Sequence, residues 1–149
     1  MGNALVPELY CTDIARSLAF YVGVLGFQVR YARPEEGFAY LERDGAELML
    51  DALAQAPESG SRTWLAGPVA HPFGRGINLQ IRAVDVDALQ EAAIAAGARI
   101  FLAMEERWYR AGDREVGNRQ FIVLDPDGYL LRFYQDLGER PMPAAATTG

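Results

Sequence analysis

Cysteine is almost missing from this chain: Cys11 is its one thiol, which rules out an intrachain disulfide and any CxxC redox or zinc motif. Histidine is as scarce, and with His71 alone no metal site can be built on two histidines of one chain. Long apolar runs are missing too. Stretches such as Phe121 to Leu124 fall far short of the roughly 20 residues a membrane-spanning helix requires, and no basic N-terminal region leads into a hydrophobic one. No membrane partner is expected, and a cytoplasmic location follows. Basic clusters are also lacking: no Lys/Arg run exceeds two residues, and 20 acidic side chains against 14 basic ones give a formal charge of −6. Phosphate backbones are repelled by such a chain, so nucleic acid is not an expected partner, whereas a cationic small molecule is electrostatically favoured.

What is present is an ordinary globular composition with half the residues apolar, and 149 residues suffice to bury a core without staples. One domain is expected over residues 1–137, and it reads as two similar halves. In the first, Leu5 to Cys11 alternates as a strand, and Asp13 stands as an N-cap before Ile14, Leu18, Tyr21, Val22 and Leu25. Those spacings of three and four predict a helix from about Asp13 to Leu25, stopped by Gly26. Strands follow at Phe27 to Tyr31, Phe38 to Arg43 and Ala46 to Asp51, the last two joined by Asp44-Gly45, a type I′ hairpin signal. The order then recurs. Ile77, Leu79 and Ile81 alternate, Asp85 caps a helix carrying Val86, Leu89, Ala93 and Ala96, and Gly97 ends it. Arg99 to Met104, Asn118 to Leu124 and Tyr129 to Gln135 are the remaining strands, with Asp125-Pro126-Asp127-Gly128 a type I turn before the last.

Module one therefore spans 5–53 and module two 76–137. Residues 54–75 between them are rich in Pro, Gly and Ser and read as a linker or lid, with Trp64 unusual for pure linker. The polar stretch Glu105 to Val116 reads as a loop at the rim, and 138–149 as a disordered tail. The expected class is α+β: two tandem βαβββ modules forming a curved, mostly antiparallel eight-stranded sheet around a cleft, helices on its outer face.

Strand parity sorts the side chains into two faces. Leu9, Cys11, Leu48, Leu50, Ile77, Leu79, Ile81, Leu131 and Phe133 form the helix-covered core face. The opposite parity carries Val6, Glu8, Tyr10, Glu47, Met49, Asp51, Asn78, Gln80, Arg82, Leu130, Arg132 and Tyr134. By itself this is the solvated side of an antiparallel sheet; paired halves curling toward each other or toward a second chain turn it into a cleft.

The segments VPELYCTDIARSLAFYVGVLGF, GINLQIRAVDVDAL and NRQFIVLDPDGYLLRF together resemble the vicinal oxygen chelate superfamily of glyoxalases, bleomycin resistance proteins and extradiol dioxygenases, from about Leu5 to Gln135. In its metal-dependent members the resemblance implies ligands at places that hold Val6, Met49, Asn78 and Arg132 here. Valine has no donor atom, asparagine and methionine are poor ligands for these ions, and arginine brings a fixed positive charge against a dication. No metal, cofactor or catalytic residue is expected. The resemblance is greatest to metal-free, bleomycin-resistance-like proteins, which implies a homodimer, with arm or strand exchange, that sequesters a small molecule between subunits. The ligand-binding expectation covers Glu8, Tyr10, Phe38, Tyr40, Glu47, Met49, Asn78, Gln80, Trp108, Tyr109 and Arg132, where the acids with Asp51 suit a cation, the rings supply apolar contact, and Arg132 either pairs with Glu47 or Glu8, the reading preferred because acids outnumber bases on that face, or binds an anionic ligand. The competing expectation is a lyase, isomerase or dioxygenase of the superfamily with a non-standard or relocated site, one of the three acids serving as a general base. His71 reads as a solvated loop residue and Cys11 as a small buried hydrophobe.

Overall fold

A computed structural model describes residues 2–53 and 64–143. The expected α+β class and both βαβββ modules are present. Module one comprises β1 (Glu8–Cys11), helix α1 (Ile14–Leu18, continuing as a π-helical segment Ala19–Val24), β2 (Gln28–Arg33), β3 (Phe38–Arg43) and β4 (Ala46–Ala52). Module two comprises β5 (Asn78–Arg82), α2 (Val86–Ala95), β6 (Ile100–Ala111), β7 (Arg114–Leu124) and β8 (Leu130–Pro141). The eight strands are shared between two sheets of four, ordered β1-β4-β3-β2 and β5-β8-β7-β6. In each, the module's first strand lies parallel to its last and the other pairings are antiparallel.

The local chemistry follows the sequence closely. Asp13 accepts from Ala15 N and Arg16 N, Asp85 from Ala88 N, so each helix begins where a carboxylate satisfies its orphan amides. The β3–β4 turn places Asp44 and Gly45 at φ 48° and 88°, the two left-handed residues that a type I′ hairpin requires. The first helix departs from the 3.6-residue period at its C-terminal half, where Leu25 N donates to Phe20 O and Phe27 N to Tyr21 O. This widening sets Phe20, Tyr21 and Leu25 all inward.

Two expectations change. The stretch Glu105 to Val116 is not a loop: β6 and β7 run on as a long twisted ribbon closed at Gly112-Asp113, pairing Trp108 with Gly117 and Tyr109 with Val116. The end of the domain also moves outward. Strand β8 continues through Gly138–Pro141, which pair with Arg114–Gly117, and only 144–149 of the expected tail lie outside the described residues, as do 54–63 of the linker.

The helix-facing sides of both sheets feed one core. Leu9, Cys11, Leu41, Leu48 and Leu50 from the first sheet join Phe121, Val123, Leu131 and Phe133 from the second, with Tyr21, Leu25, Val86 and Ala93 of the helices among them. Of the expected core set only Ile77, just ahead of β5, is mostly exposed, at 52%. The two helices meet inside this core, so the opposite, polar faces of the two sheets point away from it.

Candidate functional site

The polar-face residues fall into two groups, one per sheet, and among the described residues no hydrogen bond, ion pair or ring contact joins the two groups. On module one, parallel pairing of β1 with β4 sets Glu8 beside Met49 and Tyr10 beside Asp51, with β3 adding Phe38 and Tyr40. Tyr10, Phe38 and Tyr40 are buried although they lie on the face away from the helices. Cover comes from chain segments: Trp64 N donates to Tyr10 Oη at 2.8 Å, and Asn3 N donates to Glu47 at 2.6 Å. Tyr31 of β2 stacks on Tyr40 at 5.1 Å between ring centroids, and the Arg33 guanidinium lies 4.0 Å from the Phe38 ring centre.

The acids of this face are not equivalent. Glu47 accepts from Asn3 N, Tyr40 Oη and Arg30, and these partners, the Asn3 amide foremost, hold its carboxyl below the ordinary range. It is thus held in its ionised form and already paired with Arg30. Glu8 and Asp51 behave otherwise. Both carboxyls are pushed up by partial burial, and Glu8 further by the Asp51 carboxyl beside it, with Arg33 opposing. A half-buried carboxyl pair of this kind retains a proton to higher pH than either would alone and presents a focused negative site once ionised.

On module two, β5, β7 and β8 bring together Gln80, Asn118, Arg132, Tyr134 and Asp136 with Tyr109 of β6 around a cavity of about 450 Å³. Arg132 Nη2 donates to Gln80 Oε1, not to Glu8 or Glu47 as expected, because those acids belong to the other sheet. Beside it, Gln120 Nε2 donates to Glu105 at 3.1 Å and contacts Tyr109 Oη at 2.6 Å. Gln120 is 2% exposed, and among the described residues neither its amide oxygen nor Arg132 Nε has a hydrogen-bond partner. Asn78 is exposed at the start of β5. Trp108 leaves this group: it packs over Gly117 with the Arg140 guanidinium 4.0 Å above its ring. Asn118, Tyr134 and Asp136 at this cavity, and Gln120 beside it, are absent from the sequence candidates. The alternation of Asn118 and Gln120 with Phe121 and Val123 carried the signal for those two.

The four positions implied for metal do not fit a dication. Val6 offers no lone pair, Met49 a thioether, Asn78 a neutral amide, and Arg132 a cation already bonded to Gln80, with Val6 and Met49 in one module and Asn78 and Arg132 in the other. Among the described residues, no group of three or more His, Cys, Asp or Glu could hold a metal ion either.

His71 is not a free loop residue. Its Nε2 lies 2.8 Å from Asp127 Oδ1 and 3.2 Å from Thr12 Oγ1, and its ring stacks on Phe73 at 4.1 Å. Thr12 donates from both N and Oγ1 to Asp127. These bonds overcome the upward effect of burial and hold the Asp127 carboxyl low. Cys11 is buried as expected, and burial pushes its thiol up to about 12, far from a nucleophile's range.

The family model of the Glyoxalase/Bleomycin resistance protein/Dioxygenase superfamily matches residues 4–133. A glyoxalase/bleomycin resistance protein/dioxygenase superfamily member from Vibrio splendidus 12B01 shares 40% identity over 89% of this chain and 97% of its own, with a TM-score of 0.39. TioX from Micromonospora sp. ML1 shares 24% identity over 91% and 100%, with a TM-score of 0.66. A lactoylglutathione lyase from Agrobacterium tumefaciens shares 18% over 89% and 93%, with a TM-score of 0.56. No curated protein matches the chain. The chain belongs to the glyoxalase/bleomycin resistance/dioxygenase superfamily. No helix among the described residues is long and apolar enough to cross a membrane.

Proposed function

We propose that this protein is a metal-free binder of a small molecule, of the drug-sequestering kind found among bleomycin resistance proteins, acting in the cytoplasm as a homodimer without a cofactor. The observation that carries this reading is the donor set at the superfamily's metal positions: Val6, Met49, Asn78 and an Arg132 that is engaged with Gln80. What remains on the two polar faces is recognition chemistry, namely buried rings, a carboxyl pair and a cavity rimmed by Arg132, Tyr109 and Gln80.

Dimerisation is supported by the direction of those faces. Each looks away from the shared core, so a second copy is needed to set the first module of one chain against the second module of its partner and close a cleft. Strand β2 is exposed along its whole length, with Val29 and Tyr31 44% and 51% exposed on an unpaired sheet edge. A free edge with apolar side chains is a surface that proteins ordinarily cover. Glu8 and Asp51 would supply negative charge to such a cleft and favour a cationic ligand.

Calorimetric titration with bleomycin at low and high salt is the direct test. Binding that weakens as salt rises is expected, because part of the attraction is carried by Glu8 and Asp51. Metal analysis of protein purified without chelator belongs with it: stoichiometric Zn, Ni, Fe or Mn would overturn the binder.

A second reading, an enzyme with a relocated site, draws on one specific observation. The raised carboxyls of Glu8 and Asp51 suit a general base better than an ordinary acid does. Under that reading substrate turnover follows the ionisation of this pair and is abolished in Glu8→Gln, whereas a pure binder loses only affinity.

A further inference from the structure

Along the seam between the modules the structure has a groove of about 1050 Å³ that shares no lining residue with the module-two cavity. Its walls come from α1, from the segment around His71 and Arg75, from the end of α2 and the start of β6, and from the turn between β7 and β8. Its charged lining is mostly cationic. Arg16, Arg75 and Arg99 all line it. Among the described residues none of the three lies within ion-pair distance of a carboxylate; Arg82, Arg107, Arg110 and Arg132 are unpaired too, but they do not line this groove, whereas Arg30, Arg33, Arg43, Arg114, Arg119 and Arg140 each have a carboxylate partner. Two of the groove arginines are instead braced by carbonyl oxygens: Arg16 Nη2 donates to Pro126 O at 2.6 Å and Arg75 Nη2 to His71 O at 2.7 Å. Each keeps further N–H groups free.

The two carboxylates in the same wall are spent on the protein. Asp125 accepts from Tyr21 Oη and from the amides of Asp127 and Tyr129. Asp127 accepts from Thr12 and His71. A chain with six more acids than bases thus lines one groove with three guanidiniums and, among the described residues, sets no free acid opposite them. Like charges held together without a counter-ion repel, and an anion relieves that repulsion with charge-assisted bonds. Beside Thr12 and His71, the remaining lining is mainly apolar, with Ala19, Phe20, Val24, Ala98 and Leu130, and Phe101 is 62% exposed there.

We infer that this seam groove is a second binding site, for an organic anion with an apolar body: a carboxylate or phosphate monoester held by Arg75, Arg99 and Arg16, its hydrocarbon part lying along Phe101 and Phe20. The site is independent of the polar faces and takes the opposite charge. Its occupant bridges elements of both modules, so binding stiffens the seam.

The test is calorimetric titration of the full chain with decanoate, decyl phosphate and decyltrimethylammonium in parallel. Decanoate or decyl phosphate is expected to bind and the ammonium not, with the carboxylate-to-phosphate ratio telling which head group the site prefers. The double variant Arg75→Gln/Arg99→Gln removes two exposed side chains that serve no carboxylate, so it folds, as circular dichroism will verify. It should weaken decanoate by at least about tenfold, the loss of roughly one charge-assisted contact or more. Glu8→Gln/Asp51→Asn, on the other face, should leave decanoate unchanged. Failure of both anions to bind, equal binding of the ammonium, or full affinity in the arginine variant each overturns the site.

Discussion

The carboxylate of Asp127 accepts three bonds, from Thr12 N, Thr12 Oγ1 and His71 Nε2, while its side chain is 2% exposed. It ties the end of β1, the inter-module segment and the β7–β8 turn at one point. Replacing it by alanine leaves the Thr12 amide and hydroxyl without their acceptor, at a cost of about 2 kcal/mol, measurable by denaturant unfolding. The pH dependence has a definite sign. Because the folded carboxyl titrates below the ordinary 3.8, its contribution is complete above that value and is lost as pH falls through the lower, folded one. Asp125 in the same turn, raised by burial, does the reverse: its contribution is present below 3.8 and lost as pH rises through the folded value. Asp127→Asn should therefore show a shallower loss of stability than the parent as pH falls below 3.8. None of this was visible in the sequence. DPDG reads as a turn by residue type, but the partners of its second aspartate lie 115 and 56 positions away, and no local pattern encodes them.

At the level of elements, the ribbon of β6 and β7 is what the sequence hid. Strands over the core alternate apolar with polar, and those were read to within a few residues. Beyond Glu105 the apolar alternation that identifies a strand disappears from β6 into Glu105, Glu106, Arg107 and Arg110. The ribbon's distal order depends on a cross-strand pair. A Cβ on Gly117 would come within 2.7 Å of the Trp108 ring, so the glycine is what lets the indole lie flat across β7 under Arg140. Gly117→Ala should dislodge that ring, costing about 1–3 kcal/mol by overpacking and changing the tryptophan emission. Unchanged emission and stability would show that the indole is not seated there. The polar faces were legible through strand parity. How they divide was not, since parity assigns a side chain to a face but does not say which sheet that face belongs to.

For the whole molecule, the shared core decides how the chain unfolds. Leu131 of module two is fully buried in the cluster that also holds Leu41, Leu48 and Leu50 of module one. Leu131→Ala should cost about 2–5 kcal/mol, and it should destabilise both modules together, because neither sheet can shed its neighbour without exposing its own inner face. Coincident transitions by far-UV circular dichroism and tryptophan fluorescence are the expected result. Two separated transitions would mean that the modules unfold independently. Sedimentation equilibrium addresses the next level of assembly: a mass of twice the chain supports the closed inter-subunit cleft, and a monomer at all concentrations removes it.

The solitary thiol has a practical corollary. Cys11 is 1% exposed on β1, walled in by the first sheet and its helix, so an alkylating dye can attack it only in the moments when sheet and helix part. The labelling rate of the untouched wild-type chain is then a clock for spontaneous breathing at its centre, and a molecule lodged in the seam should slow that clock.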